Sequence, residues 1–243
     1  DDIEFNILKG RFLVSMDAID EAIVCFNRAL QFDPERVDVT IHLARANRRL
    51  GRISAAIEVL QLQQINAPNN LNLLTLLGNL LSDAEDWEAC LNVWQHIKNL
   101  EPSRVGMVPK IANCLLKLNQ LGEAEILLQS SILENKDDVK GLTMLRQVYW
   151  KQSRHEDSLE IMIRLLNLDL NNISLWKNVI MLSSRLARTD DVRIYTERMK
   201  KHFAKQEYGS LQLSLAYQSL SIETEVRAFL SSFIEEAEGP VSY

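Results

Sequence analysis

The chain reads as a succession of apolar helical stretches, without the alternation that marks a strand. Pro34, Pro68 and Pro102 each close such a stretch, and they are spaced 34 residues apart. A small residue opens every second stretch at the same period: Ala22, Ala56, Cys90, Ala124 and Ser158, continued by Val192 and Val226. Four residues further on comes a large knob, Phe26, Leu60, Trp94, Leu128 and Met162, then Thr196 and Leu230. The first stretch of each pair repeats Gly10, Ala44, Gly78 and Ala112 beside Leu43, Leu77, Ile111, Leu145 and Val179. A period of this length predicts stacked supersecondary units that bury their faces against one another. We expect first helices near 3–15, 36–49, 70–83, 104–118, 138–152, 172–186 and 207–220. Second helices are expected near 18–31, 52–66, 86–99, 121–134, 155–168, 189–203 and 223–237. Leu50-Gly51-Arg52 and Gln120-Leu121-Gly122 read as turns within pairs. Asp33-Pro34, Ala67-Pro68-Asn69-Asn70 and Glu101-Pro102-Ser103 read as turns between them.

This pattern resembles the tetratricopeptide repeat family. The resemblance is carried best by Asp20-Glu21-Ala22-Ile23, Phe26, Ala29-Leu30 and Phe32-Asp33-Pro34. Leu43-Ala44, Gly51, Ala55-Ala56 and Pro68 add to it, as do Leu77-Gly78, Trp94, Pro102, Tyr149 and Trp176. It weakens toward the C-terminus, where Lys136, Leu170 and Ala204 replace the closing proline and Val192 and Val226 replace the small residue. The resemblance implies an all-α, right-handed superhelical solenoid of about seven antiparallel helix pairs. We expect one array over residues 1–238, with units near 3–36, 37–70, 71–104, 105–138, 139–172, 173–206 and 207–238, and a tail at 239–243. It also implies that the first helices line a concave surface and that the array binds other proteins.

The two ends of the array differ in pattern. In the last expected helix Val226, Phe229, Leu230, Phe233 and Ile234 form one apolar face, and polar residues cover most of the rest, as in a cap. In the first helix Ile3, Ile7 and Val14 lie on one side, while Phe5, Leu8 and Phe12 lie on the other. That second side corresponds to the one later units turn toward their predecessor. A buried Phe is worth roughly 1.5–3 kcal/mol over an exposed one. We therefore expect Phe5, Leu8 and Phe12 to form an interface, with a preceding segment or in self-association.

Charge narrows the partners. The formal net charge is −6, with 33 acidic against 27 basic residues, which argues against a nucleic-acid scaffold. No apolar run is long enough to span a bilayer and no signal peptide is visible, although the sequence opens without Met. Cys25, Cys90 and Cys114 have no C-x-x-C spacing and read as buried thiols, which favours the cytoplasm. His42, His96, His155 and His202 have no partners at metal-ligand spacing. No phosphate loop or nucleophile elbow is present. His155-Glu156 and the acid pairs Asp137-Asp138 and Asp190-Asp191 open helices and read as caps. The reading is a non-enzymatic chain that needs no cofactor or metal.

The period also sorts side chains onto the expected concave surface. One row is Arg11, Arg45, Asn79, Asn113 and Gln147, followed by Met181 and Leu215. Adjacent rows add Arg48, Trp150, Arg49, Lys117, Lys151, Lys177 and Arg185, with Asp83 the lone acid. A basic surface on an acidic protein steers an anionic ligand. The amides Asn79, Asn113 and Gln147 offer donors and acceptors to an extended peptide backbone, and arginines grip carboxylates. Solvated charge is the alternative for these bases, and Trp150 is either a ligand platform or a core plug. The lysine–asparagine carboxylate clamp of heat-shock co-chaperones is absent, since Thr75 and Pro109 precede Asn79 and Asn113 where it needs lysine. The expected function is thus a scaffold binding an acidic or extended peptide. The alternatives are an accessory arm of a larger enzyme, such as a bacterial glycosyltransferase, and an oligomerisation module.

Overall fold

The computed structural model describes residues 2–203, which form twelve α-helices and no strand. They pair as α1 (Ile3–Ser15) with α2 (Ile19–Phe32), α3 (Val37–Arg49) with α4 (Ile53–Asn66), and α5 (Leu71–Asp83) with α6 (Trp87–Leu100). Then come α7 (Met107–Lys117) and α8 (Leu121–Glu134), α9 (Val139–Lys151) with α10 (His155–Leu168), and α11 (Ile173–Arg185) with α12 (Thr189–Phe203). The chain divides into two compact units, Asp1–Glu123 and Ala124–Tyr243. The period marks no such boundary, and the expected seventh pair, with its one-sided final helix, lies outside the described residues.

Each first helix is closed in the same way. Asp17, Gly51, Glu85, Asn119, Ser153 and Ala187, 34 residues apart, all have φ between 55° and 72°. The N–H of the next residue bonds back to a carbonyl five residues earlier, as in Ala18 to Leu13, Arg52 to Asn47 and Arg188 to Ser183. This is the Schellman closure, which satisfies carbonyls the helix end leaves free. Only one of the six left-handed residues is glycine, the residue type that adopts this region without a Cβ penalty. Gly122, expected in a turn, already lies within α8. Starts are capped where the residue type allows: the Asp2 carboxylate accepts from the Glu4 N–H at 3.0 Å, and the Asn70 side chain accepts from Asn72 and Leu73.

Helix α7 begins later than expected, at Met107 rather than near 104. Pro109 has no N–H, and its ring clashes with the carbonyl four residues earlier, so it fits only in a first turn. Gly106, at φ 86°, turns the chain into the helix at the one place where this works.

The helix pairs of the first unit close by size complementarity. A Cβ on Gly10 would lie 2.6 Å from the Phe26 ring, and one on Gly78 would lie 2.7 Å from the Trp94 ring. Both rings are buried, as are Ala22, Ala56 and Cys90 in the small-residue row. Ile7, Ile19, Val39 and Leu43 pack around Phe26. In the second unit the core gathers around Trp176, with Leu159, Met162, Val192, Met199 and Phe203. There the positions equivalent to Gly10 and Gly78 are Arg146 and Ile180, and those equivalent to Phe26 and Trp94 are Met162 and Thr196.

Candidate binding surfaces

In the first unit the expected basic residues have separate fates. Arg11 and Arg45 are exposed, and among the described residues neither has a carboxylate partner. Arg48 instead bridges Asp83 at 2.7 Å. Arg49 bridges Asp17 at 2.6 Å and also donates to the Val14 carbonyl at 3.0 Å. These two guanidiniums tie successive helix pairs together, so their charge is already matched within the unit.

The amide row is also partly engaged. Asn79 accepts from Lys110 Nζ at 2.9 Å, and that ammonium sits 3.9 Å from the centre of the Trp94 ring. Burial pushes the Lys110 pKa down. Asn113 is half-buried, and Lys117 lies 5.3 Å from the Trp87 ring centre. The field around Arg11 and Arg45 registers on His42, which stacks on Phe26 at 5.6 Å. Burial holds the His42 pKa below its ordinary value, and the charges of Arg11 and Arg45 lower it further.

In the second unit Gln147, Trp150 and Arg185 come together in one cleft of about 390 Å³. Met162 of α10 and Leu182 of α11, both buried, line it with half-buried Met181. Trp150 is 44% exposed and meets His155 edge-on at 4.8 Å, so it stands at the surface rather than plugging the core. Arg146 and Asn178 complete the lining. Lys151 and Lys177 do not line it.

Neither Arg146 nor Asn178 is among the residues expected from the sequence to form the site. The signal for Arg146 was its position, because it occupies the row otherwise held by Gly10, Ala44, Gly78 and Ala112. A long side chain stands there instead, and the residue at the knob position is the flexible Met162, which is buried and lines the cleft.

On α1, Phe5, Leu8 and Phe12 are 61%, 60% and 63% exposed, joined by Met16 at 65%. The register equivalents of Phe5 and Phe12 in the next pair, Val39 and Ala46, are buried. The thiols of Cys90 and Cys114 lie 3.4 Å apart in the core, with Cys114 donating to Cys90. That hydrogen bond, with burial, holds the Cys114 pKa far above the ordinary thiol range. Among the described residues there is no cluster of three metal-ligating side chains, and no helix is long and apolar enough to cross a membrane.

Comparison with known proteins agrees with this geometry. A family model described as tetratricopeptide repeat matches residues 13–80. A tetratricopeptide repeat protein from Parabacteroides merdae has a similar fold, with TM-score 0.62 and 15% identity over 96% of this chain and 98% of that one. YrrB, described as a protein of the same repeat class with an unusual peptide-binding site, has TM-score 0.60 and 16% identity, covering 72% of this chain and 90% of its own. Human protein O-mannosyl-transferase TMTC1 is 26% identical over 128 residues, which is 53% of this chain but 14% of that protein.

Proposed function

We propose that the chain, which has an all-α repeat fold similar to tetratricopeptide-repeat proteins and is matched by that family's model over residues 13–80, is a protein-interaction scaffold whose first helices bind an acidic, extended peptide segment of a partner protein. The observation that carries this reading is the pair Arg11 and Arg45, exposed and without carboxylate partners among the described residues, whose charge is felt by His42. A desolvated contact with carboxylates is the natural use of such guanidiniums. Half-buried Asn113, two repeats beyond Arg45 in the same row, supplies an amide for the peptide backbone. Arg48 and Arg49 serve the array first and the ligand second.

A glutamate-rich peptide without large apolar residues tests this directly. Reversing Arg11 and Arg45 to Glu should weaken its binding by about tenfold or more and flatten the dependence on salt. Binding should also raise the pKa of His42, read by NMR titration, because the ligand's carboxylates neutralise the field that now depresses it. An unchanged affinity in the reversed variant, with the fold intact by circular dichroism, sinks the reading. The three unpaired, buried thiols fit a reducing, cytoplasmic setting.

The TMTC1 match favours a second reading, an accessory arm of a larger transferase, since this chain spans 14% of that protein. The natural reading frame decides it: a frame that encodes no transferase domain removes this reading. The exposed stripe Phe5, Leu8, Phe12 and Met16 is the surface that self-association would use, and light scattering over a concentration series reads it out.

A further inference from the structure

The geometry points to the cleft of the second unit as an anchor pocket that takes one large apolar side chain of a partner peptide, with acidic side chains flanking that residue held by Arg146 and Arg185. This deepens the acidic-peptide reading above and rests on it, but it concerns a different unit and adds an apolar requirement.

Three observations carry it. First, the cleft combines an apolar interior with a cationic edge. Met162 and Leu182 offer a buried apolar surface, Trp150 an exposed aromatic face, and among the described residues no carboxylate lines the cleft. Pockets that bind specifically are mostly apolar with a few polar groups that fix orientation. Methionine adapts to side chains of differing shape.

Second, the two arginines lack the partners that several others in this unit have. Arg154 pairs with Glu125 and Asp157, Arg188 with Asp191, and Arg164 donates to the Lys136 carbonyl. Arg146 and Arg185 have no such partner among the described residues. They approach the cleft from different helices, α9 and α11, which suits acidic side chains on both sides of an anchor better than a single terminal carboxylate.

Third, the sequence register makes the space. Arg146 occupies the row that glycine or alanine holds in the first four pairs, and Met162 occupies the row of Phe26 and Trp94. In the first unit those rings seal the helix pair. Here the two positions hold Arg146 and buried Met162, and both line the cleft between α9 and α11.

The test uses the full chain and a short acetylated, amidated peptide with one central phenylalanine between glutamates, followed by fluorescence anisotropy. Replacing the phenylalanine with serine, or the glutamates with glutamine, should each reduce affinity about tenfold or more. In the protein, Arg146→Gln, Arg185→Gln and Trp150→Ala should do the same with the melting curve retained. Arg11→Glu with Arg45→Glu should leave this probe within about threefold of the parent, which separates the pocket from the first-unit surface.

No detectable binding of the phenylalanine peptide to the parent protein overturns the pocket. So does binding that is lost on reversing Arg11 and Arg45 but not on changing Arg146 and Arg185, a result that leaves the first-unit reading standing. A free-acid peptide ending in phenylalanine, with no acidic side chains, that binds as tightly as the probe overturns the assignment to flanking acidic side chains.

Discussion

Helix pairs α5–α6 and α9–α10 share one register and are built to opposite ends. In α5–α6, Gly78 lets the Trp94 ring lie flat against the backbone, and the indole N–H donates to Cys90 Sγ at 3.2 Å. The pair is sealed, and its remaining polar contacts run to the next repeat, as from Lys110 to Asn79 and from Cys114 to Cys90. In α9–α10, Arg146 and buried Met162 stand in the two matching positions, and both line a cleft that lies mainly between α9 and α11, where Arg146 and Arg185 have no carboxylate partner among the described residues. A repeat can thus keep its register while exchanging a small residue for a long charged one at the edge of a cleft.

Truncating the knobs gives the largest effect and tests the comparison first. Trp94 is 2% exposed and has no way to be replaced by its neighbours, so Trp94→Ala should cost about 3–5 kcal/mol. Met162 already borders open space, so removing its side chain deletes fewer contacts, and Met162→Ala should cost nearer 2 kcal/mol. Urea unfolding followed by circular dichroism measures both. Equal losses would mean that the cleft is as tightly filled as the sealed pair, and the contrast between the pairs would fail.

The small-residue row sharpens the same contrast at a smaller scale. Cys90 and Ser158 hold equivalent positions and both are fully buried. Cys90 Sγ donates to the Gly78 carbonyl at 3.3 Å and accepts from Trp94. Among the described residues Ser158 Oγ has no hydrogen-bond partner. Replacing each with alanine, the residue at Ala22, Ala56 and Ala124, should therefore act with opposite sign. Cys90→Ala strands the indole N–H and should destabilise by about 1–2 kcal/mol. Ser158→Ala removes an unpaired buried hydroxyl and should stabilise by about 1 kcal/mol. Chemical denaturation midpoints of the two variants, compared with the parent, check the signs.

The helices were legible in the sequence because a steric rule writes itself as composition. Gly10 must be small since Phe26 lies on it, and Gly78 since Trp94 does, so rows of small residues and knobs appear at one spacing. What the period could not show is which charges find each other. Arg48 and Arg49 fall on the right face, but their acids, Asp83 and Asp17, lie 35 and 32 residues away, and pairing with them depends on how adjacent helices dock. The start of α7 was misplaced because the steric demand of Pro109 was outweighed by the spacing of its neighbours. Arg146 escaped notice because it broke a row that was being read for what it conserved in size. The cleft lies at the place where the pattern fails.

The hairpin closures offer the finest comparison, because six turns share one backbone shape with different residues. Gly51 adopts φ 72° with no atom within 4 Å of a Cβ built on it, whereas Ala187 is held at φ 55° despite its Cβ. The left-handed region costs an L-residue roughly 1–2 kcal/mol, offset in part by the entropy that glycine loses on folding. Ala187→Gly should accordingly stabilise by about 0.5–1 kcal/mol, and Gly51→Ala should destabilise by a similar amount. The Schellman bonds from Arg188 to Ser183 and from Arg52 to Asn47, both 2.9 Å long, hold the two turns in the same conformation. Thermal melts therefore isolate the residue type from the fold. If Ala187→Gly lowers the melting temperature, the turn is held by something other than its closure, and the shared backbone shape does not mean shared energetics.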